Sequence, residues 1–318
     1  MKAMVTGGAG FIGSHLVDRL LAEGYTVDVI DDLSHGSLAN VAAARNEHTG
    51  AFRFHNLDAR SPDLLDLVGR RTPEVIFHLV DLPEHNDRNS VNVLVTTCVN
   101  VLEAAKEHRV GKVVVTIDAL ALYGNPLAAD LPLRDGQSAA PTTSRGIAMR
   151  TIIDLCKLYR TKHAVEFTVI ALVNVFGPRQ RPERGVTAAF VERAARGQTA
   201  EVHGDGRQTR DFLFVDDAVD ALVRSASRGG GLVVNVGTGV QTSVRQLERM
   251  VMGQAPVATR IPARTDDIAR FAVSPVRARI HLAWAPWTAV AEGVARLTSA
   301  LPDVRRTEPT GNVDEEQR

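Results

Sequence analysis

The chain is short of several residue types on which small folds and many active sites depend. It has two cysteines, Cys98 and Cys156, each inside an apolar helical stretch. That count argues against a disulfide framework or a zinc site, and the pair reads as small buried hydrophobes; no metal is expected. No apolar run reaches the roughly 20 residues that span a bilayer. The N-terminus enters a core strand rather than a signal peptide, so a soluble cytoplasmic protein is expected, with no membrane partner. An excess of charge is also missing, since 37 basic residues balance 37 acidic ones and leave no electrostatic case for nucleic acid or an anionic membrane. Tyrosine occurs only at Tyr25, Tyr123 and Tyr159, and the residues four further on are Val29, Leu127 and His163. No tyrosine therefore stands four residues ahead of a lysine; Tyr159 and Lys162 are three apart.

What is present begins with GGAGFIG at Gly7–Gly13. Met4–Thr6 end a short apolar strand, Gly7, Gly10 and Gly13 have the GxxGxxG spacing, and Ser14–Ala22 continue with apolar residues at helical spacing. A strand, a glycine turn and a helix in that order predict a bound dinucleotide. The first glycine allows the tight turn, the second lets backbone approach a pyrophosphate, and the third lets helix pack on strand. The helix start, with Phe11 and Ile12, offers free N–H groups and a positive dipole end. Val27–Ile30 form a second strand ending in Asp31 and Asp32, at the distance where a carboxylate reaches the adenosine ribose. A carboxylate at Asp31 repels the additional phosphate of NADP and favours NAD.

At 318 residues the chain exceeds one ordinary core, which suggests a nucleotide domain with a smaller appended lobe. Further strands are expected at Phe52–Phe54, Val75–Leu79, Lys112–Ile117 and Phe167–Leu172. Helices are expected at Asp63–Val68, Val91–His108, Gly146–His163 and Val186–Arg196. The alternation predicts an α/β fold, a doubly wound parallel sheet of the Rossmann kind. Beyond Pro178 the elements shorten and are broken by Gly204, Gly206, Gly237 and Gly239. Residues 1–177 are read as the NAD-binding domain, with later sheet elements near 205–240 interleaved, and 178–302 mainly as the substrate lobe. Residues 303–318 are polar and read as a flexible tail.

Several motifs in one order carry a family resemblance over nearly the whole chain: GGAGFIGSHLVDRLL with DDLSHGS, FHL at Phe77–Leu79, and NVLVTT with NVLEAAK between Asn92 and Lys106. LYG at Leu122–Gly124, NVFGPRQRP at Asn174–Pro182, GDGRQTRDFLFVDD at Gly204–Asp217 and NVGTG at Asn235–Gly239 complete the set. The sequence resembles the extended short-chain dehydrogenase/reductases, and among them the nucleotide-sugar epimerases and dehydratases such as the UDP-glucose 4-epimerases. The resemblance implies NAD held by Gly7, Gly10, Phe11, Ile12, Gly13, Asp31, Asp32, Ser34 and Gly36, with Leu57 and Asp58 beside the adenine. It implies a nucleotide-sugar substrate contacted by Asn174, Arg179, Arg210 and Arg270, arginine being suited to phosphate by its planar, permanently charged fork. It also implies a homodimer packed through the helices near 91–108 and 146–163, for which Val95, Val99 and Leu102, with Ile152, Leu155 and Leu158, offer apolar seams.

The departure lies at the reaction centre. Family members carry a Ser or Thr, then a Tyr acid/base, then a Lys one turn later; the matching positions here are Ala119, Arg145 and Met149. The segment Leu82–Val91 is several residues shorter than in the family, and Val80 and Asp81 replace its small pair. Losing a positioned acid/base costs about 10² to 10⁴ in rate. Replacement groups expected near the mouth are Asp118, Tyr123, His85 and Asp81, with Arg145 able to bind an anion or a developing oxyanion but not to act as a base. Three functions remain open: an epimerase, isomerase or dehydratase with a rewired centre; a catalytically silent homologue that binds NAD or a nucleotide sugar as sensor or partner subunit; and non-redox chemistry in which NAD is structural.

Overall fold

A computed structural model of the protein describes residues 1–80, 87–137, 140–253, 258–263 and 267–299. The first strand, β1 (Lys2–Thr6), is followed by α1 (Phe11–Ala22) and pairs in parallel with β2 (Thr26–Asp31). After α2 (Ala42–Glu47), β3 (Phe52–Asn56) adds to the far side of β2. The chain then crosses back through α3 (Asp63–Arg71), and β4 (Val75–His78) pairs with the other side of β1. That reversal opens the crevice between the C-terminal ends of β1 and β4 where doubly wound sheets hold their ligands.

Next come α4 (Asp87–Glu107), β5 (Lys112–Asp118), α5 (Ala119–Tyr123), α6 (Ser144–His163) and β6 (Phe167–Leu172), with β5 between β4 and β6. The chain leaves the sheet through β7 (Asn174–Phe176), α7 (Val186–Ala195), β8 (Glu201–His203), β9 (Thr209–Arg210), β10 (Phe212–Phe214) and α8 (Val215–Ser225). It returns as β11 (Leu232–Val236) beside β6, which completes a seven-stranded sheet in the order β11-β6-β5-β4-β1-β2-β3. After it come β12 (Thr242–Ser243), α9 (Val244–Met252), β13 (Thr259–Ile261), α10 (Val276–Leu282) and α11 (Val290–Thr298). Three two-stranded pairings, β10–β7, β12–β9 and β13–β8, knit this later part together.

The expected doubly wound α/β architecture is the one observed. Strands β4 and β6 are buried at every residue, as befits a parallel sheet covered by helices on both faces. Boundaries moved where local chemistry overrides periodicity. Helix α1 starts at Phe11 rather than Ser14, because Gly10 is extended and the glycine turn itself winds the first helical turn. Helix α5 had no periodic signal at five residues; Asp118 nucleates it, its Oδ1 accepting from the N–H groups of Leu120 (2.7 Å) and Ala121 (3.2 Å). The tail expected at 303–318 lies outside the described residues.

One polar group sits deep in this core. His78, at the end of β4, is 2 % exposed and hydrogen-bonded on both ring nitrogens. The Thr97 hydroxyl donates to the Val93 carbonyl (2.8 Å), so its oxygen accepts from His78 Nε2 (3.3 Å), and Nδ1 in turn accepts from Thr6 Oγ1 (2.7 Å). The ring is thus neutral, and burial pushes its pKa from 6.5 down to about 4. Above the unfolded value of 6.5 this contribution to stability is complete. As pH falls toward 4, the unfolded chain takes up a proton that the fold refuses, and about 3 kcal/mol is lost. Urea unfolding followed from about pH 7 to about pH 4.5 should show this acid-side decline in the wild type and a shallower one in His78→Gln.

Candidate active site

The glycine turn is built on contact. Gly7 has φ +75°, a left-handed value, and a Cβ at Gly13 would stand 2.1 Å from the Gly7 carbonyl oxygen. Gly10 caps α1 with no side chain, so the first N–H groups of the helix, at Phe11, Ile12 and Gly13, face the crevice without an intrahelical acceptor. Asp31 holds the turn from below: Oδ2 accepts from the Ala9 N–H and Oδ1 from the Leu33 N–H, both at 2.9 Å. Burial raises its pKa, and these two backbone donors act against that rise. Gly36 lies against this carboxylate, and Asp32 accepts from Ser34 N and Oγ. Asp58 pairs with Arg60, and Leu57 N–H donates to the Asp31 carbonyl, which brings the expected adenine-side residues to the same rim. Asn40 gave no signal in the sequence; its Nδ2 donates to the Ala9 carbonyl (2.9 Å) and fixes the turn from the loop after β2. This cradle fits NAD: a pyrophosphate meets helix N–H groups, and a ribose meets a carboxylate.

At the C-terminal end of β5 the structure joins two of the expected residues. Arg145 Nη1 donates to Asp118 Oδ2 at 2.7 Å, with the guanidinium buried and the carboxylate partly exposed. The pairing depends on a close approach of α6 to α5, where a Cβ at Gly146 would stand 2.1 Å from the Ala121 carbonyl oxygen. Ala119 and Met149 are both buried beside this pair's elements. Tyr123 is placed elsewhere: its hydroxyl is in the core, donating to Asn235 Oδ1 at 2.9 Å, and burial raises its pKa. Asp81 and His85 lie outside the described residues.

Across the crevice, Asn174 begins β7 and its N–H donates to the Asp211 carbonyl. Its Oδ1 is buried and has no hydrogen-bond partner among the described residues. Arg210 is buried and bound to the Thr209 and Ile268 carbonyls and to the Asp267 carboxylate. Arg179, with φ +66°, pairs with Asp18 of α1 at 2.8 Å, and Arg270 is exposed. Sequence reasoning missed Asp211. Almost wholly buried, it accepts from Thr238 N and Oγ1, Gly239 N and Val273 N, which locks the NVGTG loop onto the RDF strand. Its only sequence signal was a charge set between an arginine and a run of apolar residues. Among the described residues no group of His, Cys, Asp and Glu side chains is arranged to hold a metal, and no helix is long and apolar enough to cross a membrane.

Two substitutions probe this geometry. Gly13→Ala drives a methyl group into the Gly7 carbonyl, so calorimetric titration should show NAD binding lost, with about 1–3 kcal/mol of overpacking in chemical unfolding. Asp118→Ala removes both the cap of α5 and the carboxylate of a buried guanidinium; a loss of about 3 kcal/mol is expected by urea denaturation.

The sequence matches the NAD dependent epimerase/dehydratase family over residues 3–237. It is 41% identical over 315 residues to UDP-glucose 4-epimerase of Mycolicibacterium smegmatis, covering 93% of this chain and 97% of that protein. A putative UDP-glucose 4-epimerase of Methanocaldococcus jannaschii is 31% identical, with 96% and 99% covered. Among solved structures, UDP-glucose 4-epimerase of Thermotoga maritima with UDP-glucose superposes with a TM-score of 0.88 at 29% identity, covering 94% of this chain and 98% of that one. The Thermus thermophilus UDP-glucose 4-epimerase complex with NAD gives 0.82 at 28%, with 94% and 97% covered. A glycine turn made for a dinucleotide, on a scaffold shared along nearly its full length, identifies the chain as a member of the NAD dependent epimerase/dehydratase family, an epimerase-like enzyme with NAD as its cofactor.

Proposed function

We propose that this protein is an NAD-dependent nucleotide-sugar epimerase, or a related isomerase or dehydratase, whose reaction centre is built on Asp118 and Arg145. The observation that carries the reading is their 2.7 Å ion pair at the C-terminal end of β5, where the family resemblance aligns Ala119, Arg145 and Met149 with the usual Ser/Thr, Tyr and Lys. NAD, when bound, supplies the acceptor and donor of a hydride. Asp118 takes the proton of the reacting sugar hydroxyl on its partly exposed carboxylate and later returns it. Arg145 stays protonated throughout and holds the sugar oxygen as its charge develops. Asn174 Oδ1, buried without a protein donor among the described residues, receives a donor from the nucleotide sugar.

Two further parts of the reading rest on the same scaffold. The chain divides into a cofactor domain over 1–177, joined by later sheet elements, and a substrate lobe over 178–302. It also forms a homodimer through α4 and α6. Leu102 and Ile152 are in the monomer core, but Val95, Val99 and Leu155 are only partly buried, and Ile147 and Leu158 are exposed at 54% and 46%. These five residues supply the apolar seam.

A second reading is favoured by how fully the polar groups of the centre are used. The Asp118 carboxylate accepts from two backbone N–H groups and Arg145, and the Tyr123 hydroxyl is committed to Asn235. Groups held this firmly suit a homologue that binds NAD or a nucleotide sugar as a sensor or partner subunit, or one that runs non-redox chemistry. NADH absorbance after mixing the NAD-loaded protein with UDP-, TDP- and GDP-sugars separates the readings. A transient rise that Asp118→Asn abolishes, with sugar-nucleotide binding retained, is expected of the epimerase. Arg145→Met, which removes the donors that hold the developing oxyanion, should lower that turnover by about 10² to 10³. Silence across the panel, with binding intact, would transfer the assignment to the second reading.

A further inference from the structure

At the end of the sheet opposite the glycine turn, an open cavity of about 700 Å³ lies beneath the first residues of β4, β5 and β6. Its walls include His108 and Arg109 after α4, Glu74 before β4, Glu166 before β6, and Arg228 in the turn after α8. Lys112, the first residue of β5, lines it from the centre of the sheet and is only 7% exposed. Its Nζ donates to the Arg228 carbonyl, an oxygen that already accepts from Thr168 Oγ1 at 3.1 Å. This lysine is unusual in its own sequence: the chain has five lysines, at positions 2, 106, 112, 157 and 162, and arginine makes up the rest of its 37 basic residues. The other four have settings unlike that of Lys112. Lys2 donates to Thr72 at the surface, Lys106 and Lys157 pair with Glu103 and Asp154 on their own helices, and Lys162 is exposed.

We propose that Lys112 is a nucleophilic amine in a phosphate-attracting cavity and is acylated there by small acyl phosphates. The cavity supplies both requirements of such a reaction. Its arginines, Arg109 and Arg228, draw in the phosphate end of the donor. The partly desolvated amine supplies the nucleophile. Burial brings its pKa down from 10.5 to about 8; Arg160 pushes the same way, and Glu166 opposes both. Near pH 7.5 about a quarter of the amine is then neutral, against about one part in a thousand for an unperturbed lysine. In the reaction the Nζ lone pair attacks the acyl carbonyl carbon, the carbon–oxygen bond to phosphate breaks, and the amine proton leaves with the phosphate as hydrogen phosphate. No electrons are exchanged with any other reagent. The product amide keeps one N–H for the Arg228 carbonyl and has lost the positive charge that faces Glu166.

The test treats the holoenzyme with acetyl phosphate and follows acetylation of all five lysines by peptide mass spectrometry between about pH 7 and pH 10. Lys112 is expected to react at least about tenfold faster than Lys157 and Lys162 near pH 7.5. Its rate should level off above about pH 9, and added inorganic phosphate should slow it selectively. Lys112 reacting no faster than the exposed lysines, or continuing to accelerate alongside them up to pH 10, would overturn the proposal. So would indifference to inorganic phosphate, because the cavity would then play no part in holding the donor.

Discussion

With a Cβ at position 13 only 2.1 Å from the Gly7 carbonyl, helix α1 can rest on β1 in this register only while that side chain is absent. The placement of the crevice follows from this contact. It brings the first N–H groups of α1 to the end of β1, where Asp31 on β2 reaches across to the Ala9 N–H. The loop after β2 closes on the same point, through Ser37 N–H and Asn40 Nδ2 on the Ala9 carbonyl. A dinucleotide site of this kind is therefore made mostly of backbone. Side chains hold the backbone in place and leave its N–H groups to the ligand.

The reaction centre is built on a different principle. As proposed, it rests on side-chain charge, Arg145 against Asp118, with the helix start of α5 adding two backbone donors to the same carboxylate. An ion pair this sheltered retains more of its Coulomb attraction than one at the surface, and it also loses the hydration of both partners, so its value lies in fixing geometry as much as in stability. In the proposed centre, an arginine where the family resemblance places tyrosine changes the kind of help available to a substrate. Tyrosine exchanges a proton, whereas a guanidinium offers a fixed array of donors and keeps its charge.

Sequence and structure agree most closely where the signal is local. The six strands expected from periodicity are present within a few residues, because buried parallel strands are written as short apolar runs and their ends are punctuated by turn residues. The glycine spacing and Asp31 were legible for the same reason, as they lie within one strand–turn–helix–strand unit. What the sequence concealed is long-range. Asp118 and Arg145 are 27 residues apart, and nothing in either segment marks them as partners. Tyr123 was expected near the mouth by its neighbour relations in the chain, but the short helix α5 turns its hydroxyl toward Asn235 on β11, 112 residues away. Arg210 reads as a phosphate ligand within its motif, while in the fold it is bound by Asp267 and by the Thr209 and Ile268 carbonyls. Asp211, beside it, reads as one more charge in a polar motif until the loop it collects is seen.

That collection by Asp211 bears on how the later part of the chain can move. One almost solvent-free carboxylate accepts from Thr238, Gly239 and Val273, so the strand after β9, the loop after β11 and the segment before α10 meet at a single charge. A swinging motion that separated these three segments would strip a buried anion of its donors, at a cost of several kcal/mol. The part of the molecule around Asn174 and Arg210 is accordingly riveted to the sheet instead of hinged upon it. Motion in this part of the chain is left to the individual loops around that junction.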